Sequence, residues 1–153
     1  MSTIPGMDVT RWQGLATKLF PELQRHNLAS AAPDPINLLE SFAYLADEAH
    51  RLGDTALLDR IYPFIRWSIR NVESNSLKGW IADWFFARIL QFPHSKSGCL
   101  DYLDWGDVEL VTSHFTVEPM FEDTDNFERL SNEWRKRWSR NQKLPRPEFN
   151  DPG

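Results

Sequence analysis

Gly53-Asp54 constrains the fold of this chain more than any other pair of residues. Upstream, Ile36, Leu38, Leu39, Phe42, Leu45, Ala46, Ala49 and Leu52 recur three or four apart, the spacing of one apolar helix face. Downstream, Leu57, Leu58, Ile61, Phe64, Ile65, Ile69 and Val72 repeat the pattern. Asp34-Pro35 opens the first helix, because a carboxylate accepts from the unpaired amides and proline at the first position forfeits no bond. Gly53 closes it in the left-handed conformation that only glycine adopts cheaply, and Asp54 caps the next helix. Two long helices joined this tightly must fold back as an antiparallel hairpin over about 35–52 and 55–72. Pro63 lies inside the second and is expected to bend it, since the amide that would bond to Asp59 is missing.

The same logic extends in both directions. Asp8 or Thr10 caps a first helix carrying Trp12, Leu15, Ala16, Leu19 and Leu23, which Pro21 either kinks or ends in favour of a second short helix. A fourth helix is expected from Leu77 to about Gln91, with Leu77, Trp80, Ile81, Trp84, Phe85 and Ile89 on one face. Its few charges, Lys78, Asp83 and Arg88, mark it as the central, most buried helix. His94 to Gly98 reads as a loop, and Cys99–Leu103 and Asp107–Ser113 as short helices around Trp105-Gly106. Asp125 caps a last helix bearing Phe127, Leu130, Trp134 and Trp138, with Glu128 completing a capping box. No strand pattern of useful length is present. The expected class is all-α: a single compact bundle of about five main helices plus short helices, without a sheet. Residues 1–9 read as a leader, 10–141 as the helical domain and 142–153 as a proline-rich tail.

Charge is unevenly spread. Seventeen Lys and Arg against 22 Asp and Glu give −5, a poor balance for binding nucleic acid. From Ser97 through Glu128 there is no Lys or Arg, while Asp101, Asp104, Asp107, Glu109, Glu118, Glu122, Asp123, Asp125 and Glu128 all fall there. The sign then flips with Arg129, Arg135, Lys136, Arg137, Arg140, Lys143 and Arg146. Such a segment is either a solvated acidic face before a basic helix or a surface that attracts a basic partner. No run of apolar residues is long enough to cross a membrane, the start has no signal-like region, and the single Cys99 fits a reducing compartment, so a cytoplasmic location is expected.

No catalytic motif stands out. His26, His50, His94 and His114 form no His-Glu-x-x-His pattern, and one cysteine offers no zinc pair. His50, near the end of its helix beside Asp47 and Glu48, is conceivable as a general base but has a structural explanation in the helix dipole. Asp101, Asp104 and Asp107 recur every three residues without the Asp-Gly loop of a calcium site. Neither a metal nor another cofactor is expected. Trp134 and Trp138, interleaved with basic residues, could stack on bases but continue an apolar stripe, which makes nucleic acid an unlikely partner. Trp67, off its helix stripe, and Trp105, amid carboxylates, are candidate interface anchors.

Phe20-Pro-Glu-Leu23, Leu57 through Ile65 leading into Asn71, and Leu77 through Leu90 together resemble a family of small all-helical bacterial cytosolic proteins suspected of being immunity partners of secreted toxins. The resemblance spans about residues 10–90, and the acidic segment after Gly98 lies outside it. It implies a non-catalytic protein that covers a basic surface of a toxin. The acidic segment supplies the candidate contact residues: Asp101, Asp104, Trp105, Asp107, Glu109, Glu118, Glu122 and Asp123. Two other readings stand beside it. Ala49 to Asp54 is similar to the turn of helical-repeat adaptors, although no 34-residue period is found. The basic last helix would suit a nucleic-acid-associated regulator.

Overall fold

The computed structural model describes residues 8–26, 34–72 and 75–103, together with Asn132, Lys136 and Phe149. Every regular element among them is helical. Helix α1 (Val9–Leu19) is capped by Asp8, whose carboxylate accepts from the Arg11 amide at 2.7 Å. Pro21 starts a separate 3-10 helix, Pro21–His26, so the chain takes the second of the two courses that this proline allows. Arg60 ties that turn to the body. It donates to Glu22 and to the Leu19 carbonyl, both at 2.7 Å, and lies over the Phe20 ring.

The hairpin forms at Gly53-Asp54. Helix α2 (Pro35–Leu52) ends on Gly53 at φ 67°, and α3 (Thr55–Asn71) begins under the Asp54 cap. Asp34 and Asp54 accept from the Asn37 and Leu57 amides at 2.8 and 3.1 Å. Leu52 departs from its expected stripe: at 61% exposure it faces water at the hairpin tip. Pro63 is accommodated inside α3 and buried.

The expected fourth helix forms over 75–89, with one π-helical turn inside it. Helix α4 (Asn75–Ile81) passes into a π-helical turn, Ala82–Phe86, and then α5 (Ala87–Ile89). The Ala87 amide donates to the Ala82 carbonyl, five residues back rather than four. The reason lies in the sequence. Leu77, Ile81, Phe85 and Ile89, all fully buried, repeat every four residues. On an uninterrupted α-helix that repeat would drift by about 120° around the axis over its length. The wider turn absorbs part of the drift and keeps all four inward, with Ala82 and Phe86 beside them. Trp80 and Trp84 are consequently only half-buried at the edge of the core, and the Arg88 guanidinium sits 4.9 Å from the Trp84 ring centre. Of the helices expected further on, the short one over 107–113 and the last one, capped by Asp125, lie outside the described residues, apart from Asn132 and Lys136, both helical.

The central element is α2, which packs against α1, α3, α4, the π turn, α5 and α6 (Ser95–Gly98). Its Leu39, Phe42, Leu45 and Ala46 share one buried core with Ile61, Phe64 and Ile65 of α3. Phe64 is the hub of an aromatic group, with ring centres 6.3 Å from Trp12, 5.2 Å from Phe20 and 5.7 Å from Phe42. Trp12 is fully buried, and its indole donates to the Ser68 hydroxyl at 2.8 Å, so the polar edge of the largest core side chain is satisfied. No described helix is long and apolar enough to cross a membrane.

Candidate functional site

The candidate site lies at the exit turn, residues 94–103, which three long-range bonds hold to α2 and α3. Asp47, in the middle of α2, accepts from the His94 and Ser95 amides at 2.9 Å each. Two unpaired amides thereby find a carboxylate at a helix start, and residues 95–98 turn as α6 rather than as the expected loop. The Ser95 hydroxyl donates to the Ile89 carbonyl at 2.7 Å, which ties the new turn to α5. A short 3-10 turn, Cys99–Asp101, then carries the chain to Tyr102, whose carbonyl accepts from Arg66 of α3 at 2.8 Å.

His50 closes the arrangement. Its Nε2 shares a 2.8 Å hydrogen bond with the Tyr62 hydroxyl, and its ring lies edge-on to both Tyr62 and Tyr102. Tyr62 and Tyr102 stack, with centres 5.0 Å apart and planes 17° from parallel, and Phe85 supports Tyr62 from below. Gly98 lies so close to the imidazole that a Cβ there would come within 2.5 Å of Nδ1. One nitrogen of His50 is thus engaged by Tyr62 and the other faces backbone. The geometry makes His50 a staple between α2, α3 and the exit turn.

Electrostatics mark the same place as acidic. Burial lowers the affinity of His50 for a proton below the ordinary histidine value, while Asp47 and Asp101 pull the other way. The Tyr102 hydroxyl is raised above its ordinary value by burial, then by Asp59 of α3 and Asp101. Three carboxylates from three elements therefore act on one aromatic cluster. Asp59 and Asp101 are exposed; Asp47 is half-buried.

Of the residues expected to meet a partner, Asp101 is described: it is exposed on the turn that Tyr102 and the buried Cys99 and Leu103 hold down. Asp104, Trp105, Asp107, Glu109, Glu118, Glu122 and Asp123 lie outside the described residues. Of the basic last helix, Lys136 is described; it is helical and exposed, as is Asn132 four residues before it. No known protein family, curated protein or solved structure matches the chain. The site therefore rests on geometry alone. Among the described residues, no three His, Cys, Asp or Glu side chains are grouped to hold a metal ion.

Sequence reasoning missed Asp47 and Asp59 as parts of this surface, and missed Tyr62, Gly98 and Tyr102 altogether. Asp59 was within reach: it shares a face of α3 with Tyr62, three residues on. The stacking of Tyr62 on Tyr102 left no comparable signal. Phe149, in the segment read as a tail, packs on α3 with ring centres 5.1 Å from Phe64 and 4.9 Å from Trp67. Trp67 is accordingly half-buried beneath the chain's own phenylalanine.

Proposed function

We propose that this chain is a cytosolic protein-binding protein whose acidic face covers a basic surface on a partner, in the manner of an immunity protein that blocks a secreted toxin. The observation that carries this reading is the continuity of negative charge. The run of carboxylates from Asp101 to Glu128, free of Lys and Arg, starts at a turn fixed to the helical body, and Asp59 and Asp47 of that body bear on the same aromatic cluster. An acidic surface with a firm base accelerates encounter with a basic protein and favours one orientation on arrival. Asp101, Asp104, Asp107 and Glu109 would steer the encounter, Trp105 would anchor it, and Glu118, Glu122 and Asp123 would extend the contact.

Binding kinetics with a lysine-rich protein test the reading. Reversing Asp104, Asp107 and Glu109 to Lys should slow association and weaken its dependence on salt, while Trp105→Ala should chiefly speed dissociation. Reversing Arg135, Lys136 and Arg137 should change little. If the acidic reversal leaves binding to the lysine-rich protein unchanged, the acidic segment is a solvated surface and the reading fails. The immunity role itself is tested by growth of cells that carry this chain together with any secreted toxin encoded beside it; failure to protect them contradicts that role.

A further inference from the structure

The outward side of α2 carries a pattern of its own. Between Arg25 and Arg51 the chain has no Lys or Arg, and its carboxylates there are Asp34, Glu40, Asp47 and Glu48. Most of the helix is covered by its neighbours, but Tyr44 is 38% exposed, one of two large hydrophobic residues that face water among those described. Phe92, just beyond α5, stacks on it with ring centres 4.8 Å apart and planes 24° from parallel. Glu40 and Glu48, both half-buried, stand one turn before and one turn after Tyr44 on the same side of the helix. Asp47 adds its charge close by while its carboxylate accepts from the His94 and Ser95 amides. We infer that the Tyr44–Phe92 stack, bracketed by Glu40 and Glu48, is a docking point for an arginine side chain on the surface of a basic partner protein.

The chemistry of the pair selects the occupant. A planar guanidinium lies flat against an aromatic ring while its N–H groups donate to a carboxylate beside it. A lysine ammonium is a point charge and matches the ring face less well. The fold completes this arrangement once within itself: the Arg60 guanidinium is 5.0 Å from the Phe20 ring centre and donates to Glu22 at 2.7 Å. Tyr44 presents the same two partners, a ring and a carboxylate, toward solvent. The cations of the elements that meet here are Arg51 at the end of α2, Arg88 of α5, which lies over Trp84, and Lys96 of α6. Tyrosine and arginine are also the residue types that most often carry interface energy. The inference deepens the acidic-face reading and rests on it for the basic character of the partner alone.

Hexaarginine and hexalysine peptides, titrated into the full chain, test the site. The chain has three tyrosines, so ring-labelled tyrosine gives an NMR spectrum with three sets of signals. Those of Tyr44 should shift with hexaarginine, while those of the buried Tyr62 should not. By fluorescence anisotropy, Tyr44→Ala should weaken hexaarginine binding about two- to fivefold and hexalysine binding less, with the helical circular dichroism signal intact. Tyr44→Phe, which keeps the ring, should bind as the parent does. Glu40→Gln with Glu48→Gln should weaken hexaarginine binding with the ring in place. Hexaarginine that shifts Tyr102 and leaves Tyr44 unmoved overturns the inference, as does an unchanged affinity in Tyr44→Ala. An equal loss for the two peptides overturns the assignment to arginine. The broader reading is judged apart from this: if Asp59→Lys and Asp101→Lys leave association with a lysine-rich protein unchanged while Tyr44 still answers to hexaarginine, the acidic-face reading has failed and the arginine site stands.

Discussion

The α2–α3 hairpin and the stretch from Ala82 to Leu103 are both helical, but they are held in different ways. The hairpin's defining bonds are local: Asp34 and Asp54 each cap the helix that follows them, and Gly53 turns the chain where it stands. The later stretch is held across the fold. Asp47 caps α6 from 47 and 48 residues away, Arg66 holds Tyr102 from 36 residues away, and the His50–Tyr62 pair walls the exit turn. A four-residue helix such as α6 has no stability of its own. It exists because the hairpin already presents Asp47. The hairpin is thus a platform, and the later stretch is its cargo.

The contrast can be broken most sharply at the π turn. Phe85 is fully buried and Trp84 sits at the core's edge, so Phe85→Ala should cost about 3–5 kcal/mol. Trp84→Ala should cost only about 1–2 kcal/mol, the worth of partial burial and one cation–π contact. Denaturant melts compare the two, and equal costs would mean that the helix keeps an α-helical register.

Glycine substitutions sharpen the comparison further. At Gly98 a methyl group would collide with the His50 ring, and Gly98→Ala should cost about 1–3 kcal/mol. Hydrogen exchange should speed mainly in residues 95–103. At Gly53 there is open space and the penalty comes from the left-handed backbone alone, about 1–2 kcal/mol. Its effect should reach the whole hairpin rather than the exit turn. A Gly98→Ala protein with native exchange in 95–103 would show that His50 does not hold that turn.

The smallest effect is a pH slope. His50 binds a proton less readily in the fold than in the unfolded chain, where its value is 6.5. As pH falls through that value the unfolded state gains protons that the folded state does not, so stability declines with acidification and levels off below the lowered folded value. Melting temperatures between about pH 8 and about pH 5 should show this decline, and His50→Gln should flatten it.

What the sequence made legible follows the same division. Caps, proline at a first helical position and glycine at φ 67° are readable because donor, acceptor and backbone preference all lie within one turn. The hairpin, its end points and the burial of Trp12 follow from such signals and from helical spacing. The π turn was not legible, because a four-residue repeat from Leu77 to Ile89 resembles an ordinary helix face until its drift is summed. Helix α6 and the place of Tyr102 were hidden for another reason: their partners, Asp47, Arg66 and Tyr62, sit on helices whose relative placement no local pattern states. Of the candidate site, the sequence offered the acidic run and its polarity, but not the carboxylates that the hairpin adds to it.

Asp59 therefore gives the most direct test of the central claim, that the acidic face begins on the hairpin itself. It is 38 residues before the carboxylate-rich segment opens at Ser97, and it is exposed on α3, where it bears on Tyr102 together with Asp101. The measurement is the association rate of Asp59→Lys with a lysine-rich protein at low salt, beside Asp101→Lys and Asp34→Asn, a control on the same body that loses a charge but keeps a capping side chain. The account predicts that Asp59→Lys and Asp101→Lys slow association alike while Asp34→Asn scarcely does. An Asp59→Lys protein that associates as fast as the parent, with Asp101→Lys slowed, would contradict it and confine the acidic face to the segment after Gly98.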